Sequence, residues 1–241
     1  MKSIFLTTLM LFTMHHLSAQ ATLPADAPAL DLTYLVRPPK VAIPHPPALF
    51  LFHGAGSNEH DLFSLAVQVP DEWLVISARA PITQSAGHYR WYDVKLVGEK
   101  ITLDFQQEEA SRKRLLQFID GIVAHYQADS RRVVLAGFSQ GANMASVVSL
   151  TAPDKVAGFA VFSGRWIEEI APLVHRSESL AALRCFVAHG HQDHMLPITY
   201  ATANREALRD LGIEVTFSED AVGHTISPKL FADFLQWLQQ W

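Results

Sequence analysis

The chain has 241 residues, 49% of them hydrophobic, and a formal net charge of −5 at pH 7. This length and apolar content are sufficient for a full hydrophobic core and lie near the upper limit for one domain. Acidic and basic residues are interspersed, and no Lys or Arg run is long enough to follow a phosphate backbone. The charge pattern therefore argues against nucleic acid as a partner.

The N-terminal segment MKSIFLTTLMLFTMHHLSAQAT combines one Lys, an apolar run and small residues around Ala19 and Ala21. This layout is typical of a secretory signal peptide, and the apolar run is short for a membrane span. We therefore predict a signal peptide over residues 1–20 and a single mature domain over residues 21–241, either periplasmic or secreted. A retained N-terminal anchor is the alternative interpretation. No later segment reads as transmembrane, so we expect no stable membrane insertion of the mature chain.

Six short apolar segments follow along the chain, each bounded by Pro, Gly or polar residues. They read PALFLFHG, WLVISARAP, RRVVLAGF, VAGFAVFSG, LRCFVAHG and GIEVTFSED. Continuous apolar runs of this length are typical of strands that are buried on both faces. The Pro-rich segment RPPKVAIPHPPA near residue 40 is predicted to connect early strands.

Helical periodicity occurs between and after these segments. The clearest helix covers residues 105–126, where Asp104 and Gln107 form a capping-box pattern. A last helix is predicted after Ser227 and Pro228, an N-cap and a first-turn residue. Strands that alternate with helices predict an α/β fold with a mostly parallel central sheet and helices on both faces. Ligands of such sheets bind beyond the carboxyl ends of the strands, so polar residues there are the candidates for chemistry.

The sequence GFSQGA follows the apolar residues of one predicted strand and fits the pattern G-x-S-x-G around Ser139. Small flanking residues permit a sharp turn from a strand into a helix, which would lift the serine Oγ into an exposed, strained position. The N–H groups at the start of the helix would stabilise an oxyanion beside it. An ordinary turn serine is the alternative, because the pattern alone is common. Its place between a predicted strand and a predicted helix favours a nucleophile.

A serine nucleophile needs a general base and an acid that orients the base. In this arrangement of strands and helices the expected chain order is Ser, then Asp or Glu, then His. Asp193 follows the segment LRCFVAHG, and His224 lies between the last predicted strand and the last helix. Asp154 and Asp220 are the competing carboxylates, and both are interpreted as solvated loop residues. The order of Ser139, Asp193 and His224 therefore predicts a catalytic triad.

A metal site is the alternative interpretation of the cluster His189, His191, Asp193 and His194, since imidazole and carboxylate groups at this spacing bind Zn or Fe. His189, however, lies within an apolar strand and is expected to pack against the sheet, and no second ligand motif occurs in the chain. We therefore predict no metal and no cofactor. The single cysteine, Cys185, is interpreted as a small buried side chain of the same strand.

Oxyanion donors are expected from the segment FLFHGAGSNEHDL, where small residues follow an apolar strand. The backbone N–H of Ala55 in this loop and that of Gln140 after the serine would lie near the same substrate oxygen. A phosphate-binding loop is the alternative, but no Lys follows at the spacing that such a loop requires.

Five motifs occur in the order HGAGSNEHDL, RWYD, GFSQGA, HGHQDHMLP and GH. Together they resemble the phospholipase/carboxylesterase family of α/β-hydrolases, which includes acyl-protein thioesterases and bacterial carboxylesterases. The resemblance extends from about residue 30 to residue 240, and the combination is far more specific than any one motif. It implies an α/β-hydrolase fold. The loop sequence AGSNEHD is closer to the bacterial carboxylesterases than to the thioesterases.

The resemblance also implies roles for individual residues. By similarity, Ser139 would be the nucleophile, Asp193 the orienting acid and His224 the general base. The amides of Ala55 and Gln140 would form the oxyanion hole.

The segment RWYD matches a family segment that borders the acyl pocket, which implies a substrate-binding role for Trp91 and Tyr92, with packing beneath a loop as the alternative. The resulting prediction is a serine carboxylesterase that cleaves a small-molecule ester or thioester through an acyl-enzyme. A lysophospholipase or serine peptidase with the same triad, and a catalytically inactive binding protein, are the alternatives. Apolar residues in RWIEEIAPL and in the last helix are expected to pack in the core, with a homodimer interface as the alternative.

Overall fold

The computed structural model describes residues 30–97 and 100–241, so the predicted signal peptide over residues 1–20 lies outside the described residues. In chain order the strands are β1 (Tyr34–Arg37), β2 (Ala48–Phe52), β3 (Leu74–Ala78), β4 (Ile82–Ser85), β5 (His88–Arg90), β6 (Val94–Val97), β7 (Lys100–Leu103), β8 (Val133–Phe138), β9 (Gly158–Phe162), β10 (Arg184–Gly190) and β11 (Glu214–Asp220). The α-helices are α1 (His60–Phe63), α2 (Phe105–His125), α3 (Gln140–Thr151), α4 (Glu178–Ala182), α5 (Thr199–Asp210) and α6 (Pro228–Leu238). Two 3-10 helices cover Ser64–Gln68 and Glu168–Leu173.

Seven of these strands form one sheet in the order β1-β3-β2-β8-β9-β10-β11. β1 and β3 pair antiparallel, and the other neighbours in this sheet pair parallel. The six predicted strands are β2, β3, β8, β9, β10 and β11, so the predicted α/β fold with a mostly parallel sheet is confirmed. The carboxyl ends of these six strands meet at one edge of the sheet, and Ser139, Asp193 and His224 follow β8, β10 and β11 there.

Helices cover both faces of the sheet, so the side chains of one strand alternate between two cores. In β2, Phe50 and Phe52 pack with residues of α2 and α3, whereas Leu49 and Leu51 pack with residues of α6. Burial on both faces explains why the strand sequences are continuously apolar rather than alternating. Cys185 in β10 is fully buried, and burial raises the pKa of its thiol well above the ordinary value.

Side-chain caps set the starts of the two predicted helices. Asp104 accepts a hydrogen bond from Gln107 N at 3.1 Å at the start of α2, and Ser227 accepts one from Leu230 N at 3.2 Å at the start of α6. The predicted capping box at α2 is wrong in one half, because the Gln107 side chain donates to Asp93 at 3.0 Å instead of reaching back to Asp104. No helix within the described ranges combines the length and apolar content that a membrane crossing requires.

Two hairpins between β3 and α2 are not predicted by the sequence. β4 pairs with β5, and β6 pairs with β7. β4 and β5 are short and largely exposed, so they lack the apolar run that identifies the buried strands. The connection between the two hairpins carries Trp91 and Tyr92, which the hairpins hold beside the start of α3.

The turn from β8 into α3 is a single residue, Ser139, with φ 52° and ψ −116°. Side chains rarely tolerate a left-handed φ of this kind, so the surrounding packing must hold it. The flanking glycines allow that packing. A Cβ on Gly137 would lie 2.2 Å from Gly141 O, and a Cβ on Gly141 would lie 2.0 Å from Phe52 O. Three backbone segments, β2, β8 and α3, therefore meet here at a distance that excludes any side chain.

We expect Gly141→Ala to lower the free energy of unfolding by at least about 2 kcal/mol, because the added methyl group overlaps backbone atoms of a neighbouring strand. For a chain of this length that loss corresponds to a Tm lowered by roughly 4–8 °C. Gly223→Ala is the matched control, since its Cβ would lie 3.6 Å from the nearest atom, Gln192 O. Equal Tm values for the two variants in thermal unfolding would contradict the steric role of Gly141.

One carboxyl group of α2 is buried without a hydrogen bond. Glu108 has no exposed area, and neither of its side-chain oxygens has a partner among the described residues. Burial, reinforced by the charge of Glu109, raises the pKa of Glu108 to about 7, although Arg112 acts in the opposite direction. The native state therefore holds this proton at pH values where the unfolded chain has lost it. The stability that protonation of Glu108 contributes is present at low pH and is lost as the pH rises through about 7.

We expect Glu108→Gln to raise the Tm relative to the parent at about pH 8, where the parent must ionise a buried carboxyl, and to change it little at about pH 5. Glu206→Gln is the matched control, because Glu206 also lies on a helix, α5, but its side chain is 67% exposed. Thermal unfolding of the three proteins at both pH values measures the difference. The same shift at both pH values would contradict a buried, titrating Glu108.

Candidate active site

A pocket of about 440 Å³ lies at the carboxyl edge of the sheet. Ser139, His224, Ala55 and Gln140 all line it, so four residues predicted for catalysis or oxyanion binding meet in one place. Its volume lies in the range of small-molecule binding sites. The other lining residues are Tyr92, Val94, Lys95, Asn143, Arg165, Met195 and Leu196.

Asp193 orients His224 from behind the pocket. Its Oδ2 lies 2.7 Å from His224 Nδ1, and its side chain has no exposed area. Its Oδ1 accepts hydrogen bonds from Met195 N at 2.9 Å and Leu196 N at 2.8 Å. Burial alone would raise the pKa of Asp193, but the Leu196 amide and His224 outweigh it, and the pKa is lowered from the ordinary value. An ionised Asp193 therefore accepts a hydrogen bond from His224 Nδ1–H and leaves His224 Nε2 as the acceptor nitrogen.

The competing carboxylate Asp220 has other partners. It accepts hydrogen bonds from Ser227 Oγ at 2.6 Å and from Ala221 N at 2.8 Å. Both contacts organise the turn between β11 and α6, and neither involves His224. Asp220 therefore supports the loop that carries His224 without touching the imidazole.

His224 lies beside the β8–α3 turn that carries Ser139. Its ring packs on Phe138, the residue before the serine, with ring centroids 4.8 Å apart. Ser139 and His224 share the pocket wall, and the described structure contains no hydrogen bond that joins their side chains directly. Such bonds are commonly long in the absence of substrate and tighten when substrate binds.

The loop after β2 is held by a buried histidine. His53 Nε2 lies 3.0 Å from Ala80 N, an obligate donor, so Nε2 must accept and Nδ1 must carry the ring proton. Nδ1 then donates to Gly54 O at 2.7 Å. Burial lowers the pKa of His53, in agreement with a neutral ring. Because Gly54 C=O and Ala55 N–H belong to one planar peptide, this bond also fixes the direction of the Ala55 amide.

Two backbone amides remain available as oxyanion donors. In the described part of the chain, neither Ala55 N nor Gln140 N donates a hydrogen bond to the protein. Gln140 is the first residue of α3, where N–H groups have no partner within the helix and the helix dipole is positive. The structure therefore offers two free donors at the pocket that Ser139 lines.

The side chain of Gln140 holds the Trp91–Tyr92 segment in place, a role that the sequence does not predict. Its Oε1 accepts from Trp91 N at 2.7 Å and its Nε2 donates to Tyr92 O at 2.8 Å. Asn143, one turn further along α3, donates to the Tyr92 hydroxyl at 2.9 Å. Burial raises the pKa of Tyr92 to about 12, so this hydroxyl stays protonated. The first turns of α3 thus hold in place the Trp91–Tyr92 segment, of which Tyr92 lines the pocket.

Trp91 and Tyr92, predicted together as substrate-binding residues, occupy different positions. Tyr92 lines the pocket. Trp91 is fully buried, does not belong to the pocket lining, and donates from Nε1 to His53 O at 2.9 Å. The position of Trp91 does not support the predicted direct contact with substrate. It fits the alternative role, packing beneath the loop after β2. The hydrogen bond from Trp91 Nε1 to His53 O explains this position, because it directs the indole ring into the protein interior.

Several pocket residues are missing from the sequence-based prediction. Asn143 lies four residues after Ser139 on α3, a spacing that places both on one helix face and would have identified it. Arg165 follows β9 at the carboxyl edge of the sheet. Ligands of such sheets bind there, so its position after a predicted strand could have identified it. Lys95 in β6, and Met195 and Leu196 after β10, carry no comparable signal, because the sequence does not determine the paths of the hairpin and the loop that bring them to the pocket.

Two histidines of the cluster around Asp193, His189 and His191, are engaged in protein contacts. His189 Nε2 lies 2.7 Å from Leu196 O and must donate, since a carbonyl oxygen only accepts. His191 is half-exposed and lies 3.2 Å from Glu219. Within residues 30–97 and 100–241, no group of three or more His, Cys, Asp or Glu side chains is arranged to hold a metal ion.

Known proteins resemble this chain in sequence and in fold. The phospholipase/carboxylesterase family matches residues 39–241. Acyl-protein thioesterase 1 of Eremothecium gossypii is 28% identical over 209 residues, which cover 80% of this chain and 86% of that protein. The Bacillus cereus carboxylesterase superposes with a TM-score of 0.75 at 22% identity, covering 87% of this chain and 94% of that one. A Mesorhizobium loti carboxylesterase superposes with a TM-score of 0.76 at 23% identity, covering 88% and 96%.

The structural neighbours show that the chain has the α/β-hydrolase fold. The family match covers far more than half of the chain and includes Ser139, Asp193 and His224. Sequence motifs, fold and family therefore agree. The chain belongs to the phospholipase/carboxylesterase family of carboxylic ester hydrolases.

Proposed function

We propose that the protein hydrolyses carboxylic esters or thioesters through an acyl-enzyme formed on Ser139, with His224 as general base and Asp193 as its orienting acid. The observation that carries the proposal is the buried contact of 2.7 Å between Asp193 and His224, at a pocket that Ser139 also lines. A carboxylate, an imidazole and a serine in this order form the hydrogen-bonding set that activates a serine hydroxyl.

In the proposed mechanism, His224 Nε2 takes the proton of Ser139 as Oγ attacks the substrate carbonyl. Asp193 holds the Nδ1 proton and stabilises the imidazolium that forms. The amides of Ala55 and Gln140 bind the oxyanion of the tetrahedral intermediate, which then expels the alcohol or thiol with the proton from His224. Water, deprotonated by His224, attacks the acyl-enzyme, and the acid leaves as Ser139 recovers its proton.

We expect Ser139→Ala to lower kcat for p-nitrophenyl esters, from acetyl to palmitoyl, by at least about a thousandfold while the Tm stays near that of the parent. Ser163→Ala is the matched control, because Ser163 also directly follows a strand, β9, with a left-handed φ of 49°, but does not line the pocket. A fluorophosphonate probe should label the parent and the control but not Ser139→Ala. Full ester turnover by Ser139→Ala would contradict the nucleophile. Labelling without ester turnover would favour a peptidase, and no labelling would favour a binding protein.

We expect Asp193→Asn to lower kcat by a factor on the order of 10³ or more, because an amide no longer holds the Nδ1 proton in place. Asp220→Asn is the matched control, since Asp220 lies on the same edge of the sheet but bonds to Ser227. Steady-state hydrolysis of one short ester by both variants measures the difference. A comparable loss of kcat in Asp220→Asn would reopen the choice between the two carboxylates.

A further inference from the structure

The charged residues of the pocket are of one sign. Its lining contains the cations Lys95 and Arg165 and no Asp or Glu. Asp193 lies behind His224 and is paired with its imidazole. The substrate pocket is therefore a site of positive charge, which a purely apolar acyl chain would not require.

Arg165 has no anionic partner in the protein. Among the described residues it forms no ion pair, and the one hydrogen bond of its guanidinium is a 3.3 Å contact from Nη1 to Trp166 O. Its Nη2 is buried without a hydrogen-bond partner. An unsatisfied donor on a charged group is costly. An anion that draws the guanidinium into the pocket would satisfy two donors at once, as the planar fork of arginine allows.

The position of Arg165 is fixed relative to the nucleophile. Its backbone N–H donates to Asn143 Oδ1 at 2.8 Å, and Asn143 N in turn donates to Ser139 O at 3.1 Å. Asn143 stands one helical turn from Ser139, a rise of about 5.4 Å. Because Arg165 and Ser139 also line the same pocket, a charged group bound by Arg165 would lie in the pocket that holds the ester carbonyl.

Two other carboxyl groups are near but do not neutralise the pocket. Glu108 and Glu169 both act on the pKa of Tyr92. Glu108 is fully buried, neither residue lines the pocket, and neither pairs with Arg165. The positive charge thus remains available to a ligand.

We propose that Arg165, assisted by Lys95, binds an anionic group of the substrate, so that the preferred esters carry a carboxylate or a phosphate close to the scissile bond. This inference rests on the proposed function of the same site. A carboxylate would belong to the acyl part, as in a half-ester of a dicarboxylic acid. A phosphate would belong to the alcohol part, as in an acyl ester of glycerol phosphate.

Two matched substrate pairs test the charge preference. Monoethyl glutarate and the ethyl ester of glutaramic acid differ only in a carboxylate against an amide of the same shape. Acetylglycerol phosphate and acetylglycerol differ only in the phosphate. We expect kcat/KM for the anionic member of one pair to exceed that of its neutral partner by at least about tenfold, the effect of one charge-assisted hydrogen bond. The pair that shows the preference identifies the source of the charge.

Variants of Arg165 then locate the preference. In Arg165→Met the ratio of anionic to neutral kcat/KM should fall by about tenfold, mainly through KM, and Arg165→Lys should restore part of it, because charge remains but the fork is lost. A purely structural role would lower both rates together and leave the ratio unchanged. Arg131→Met is the matched control, since the Arg131 side chain is 90% exposed and lies outside the pocket.

Inhibition of the parent enzyme supplies a test that needs no variant. Glutarate or inorganic phosphate should raise the apparent KM for a neutral ester, whereas glutaramide should not. Ser139-dependent hydrolysis of neutral esters with no anionic preference and no such inhibition would overturn the inference and leave the proposed function intact. Absence of any Ser139-dependent hydrolysis and of probe labelling would overturn the proposed function itself.

Discussion

The close approach of three backbone segments at the β8–α3 turn is the constraint on which the rest of the site depends. Gly137 and Gly141 let β2, β8 and α3 meet at distances that leave no room for a Cβ. As a result, the loop after β2 and the first turn of α3 lie side by side, with Ser139 at the junction. The amides of Ala55 and Gln140 come from these two segments, so the proposed nucleophile and both proposed oxyanion donors depend on the same close packing.

Buried polar side chains around this junction form hydrogen bonds that set the orientation of neighbouring groups in the site. His53 fixes the peptide that carries the Ala55 amide, and Gln140 fixes the backbone of Trp91 and Tyr92. Asp193 fixes the imidazole of His224. Each bond satisfies a group that would otherwise be costly to bury, and a hydrogen bond in a dry interior is stronger than one in water. The polar side chains of His53, Gln140 and Asp193 therefore all have partners within the protein.

Arg165 and Glu108 depart from this rule, since each keeps a buried polar atom without a partner. Glu108 lies outside the pocket, and its raised pKa is the response of a carboxyl that burial favours in the neutral form. Arg165 lines the pocket and cannot shed its proton at ordinary pH. The proposed selectivity of the pocket for anionic esters therefore rests on this charge as well as on the shape of the pocket.

Local sequence patterns alone predict the six strands, the two capped helices at α2 and α6, and the chain order of Ser139, Asp193 and His224, although β11 lies at the edge of the sheet and is only partly buried. These follow from local patterns: continuous apolar runs, helical periodicity and glycine around a serine. Three features become evident only in the folded chain: the Gln107 side chain bonds Asp93 instead of Asp104, Trp91 points inward, and a particular set of side chains lines the pocket. These features depend on the positions of the hairpins between β3 and α2 and of the segment after β9. Their positions depend on contacts between residues far apart in the chain, which no local pattern encodes.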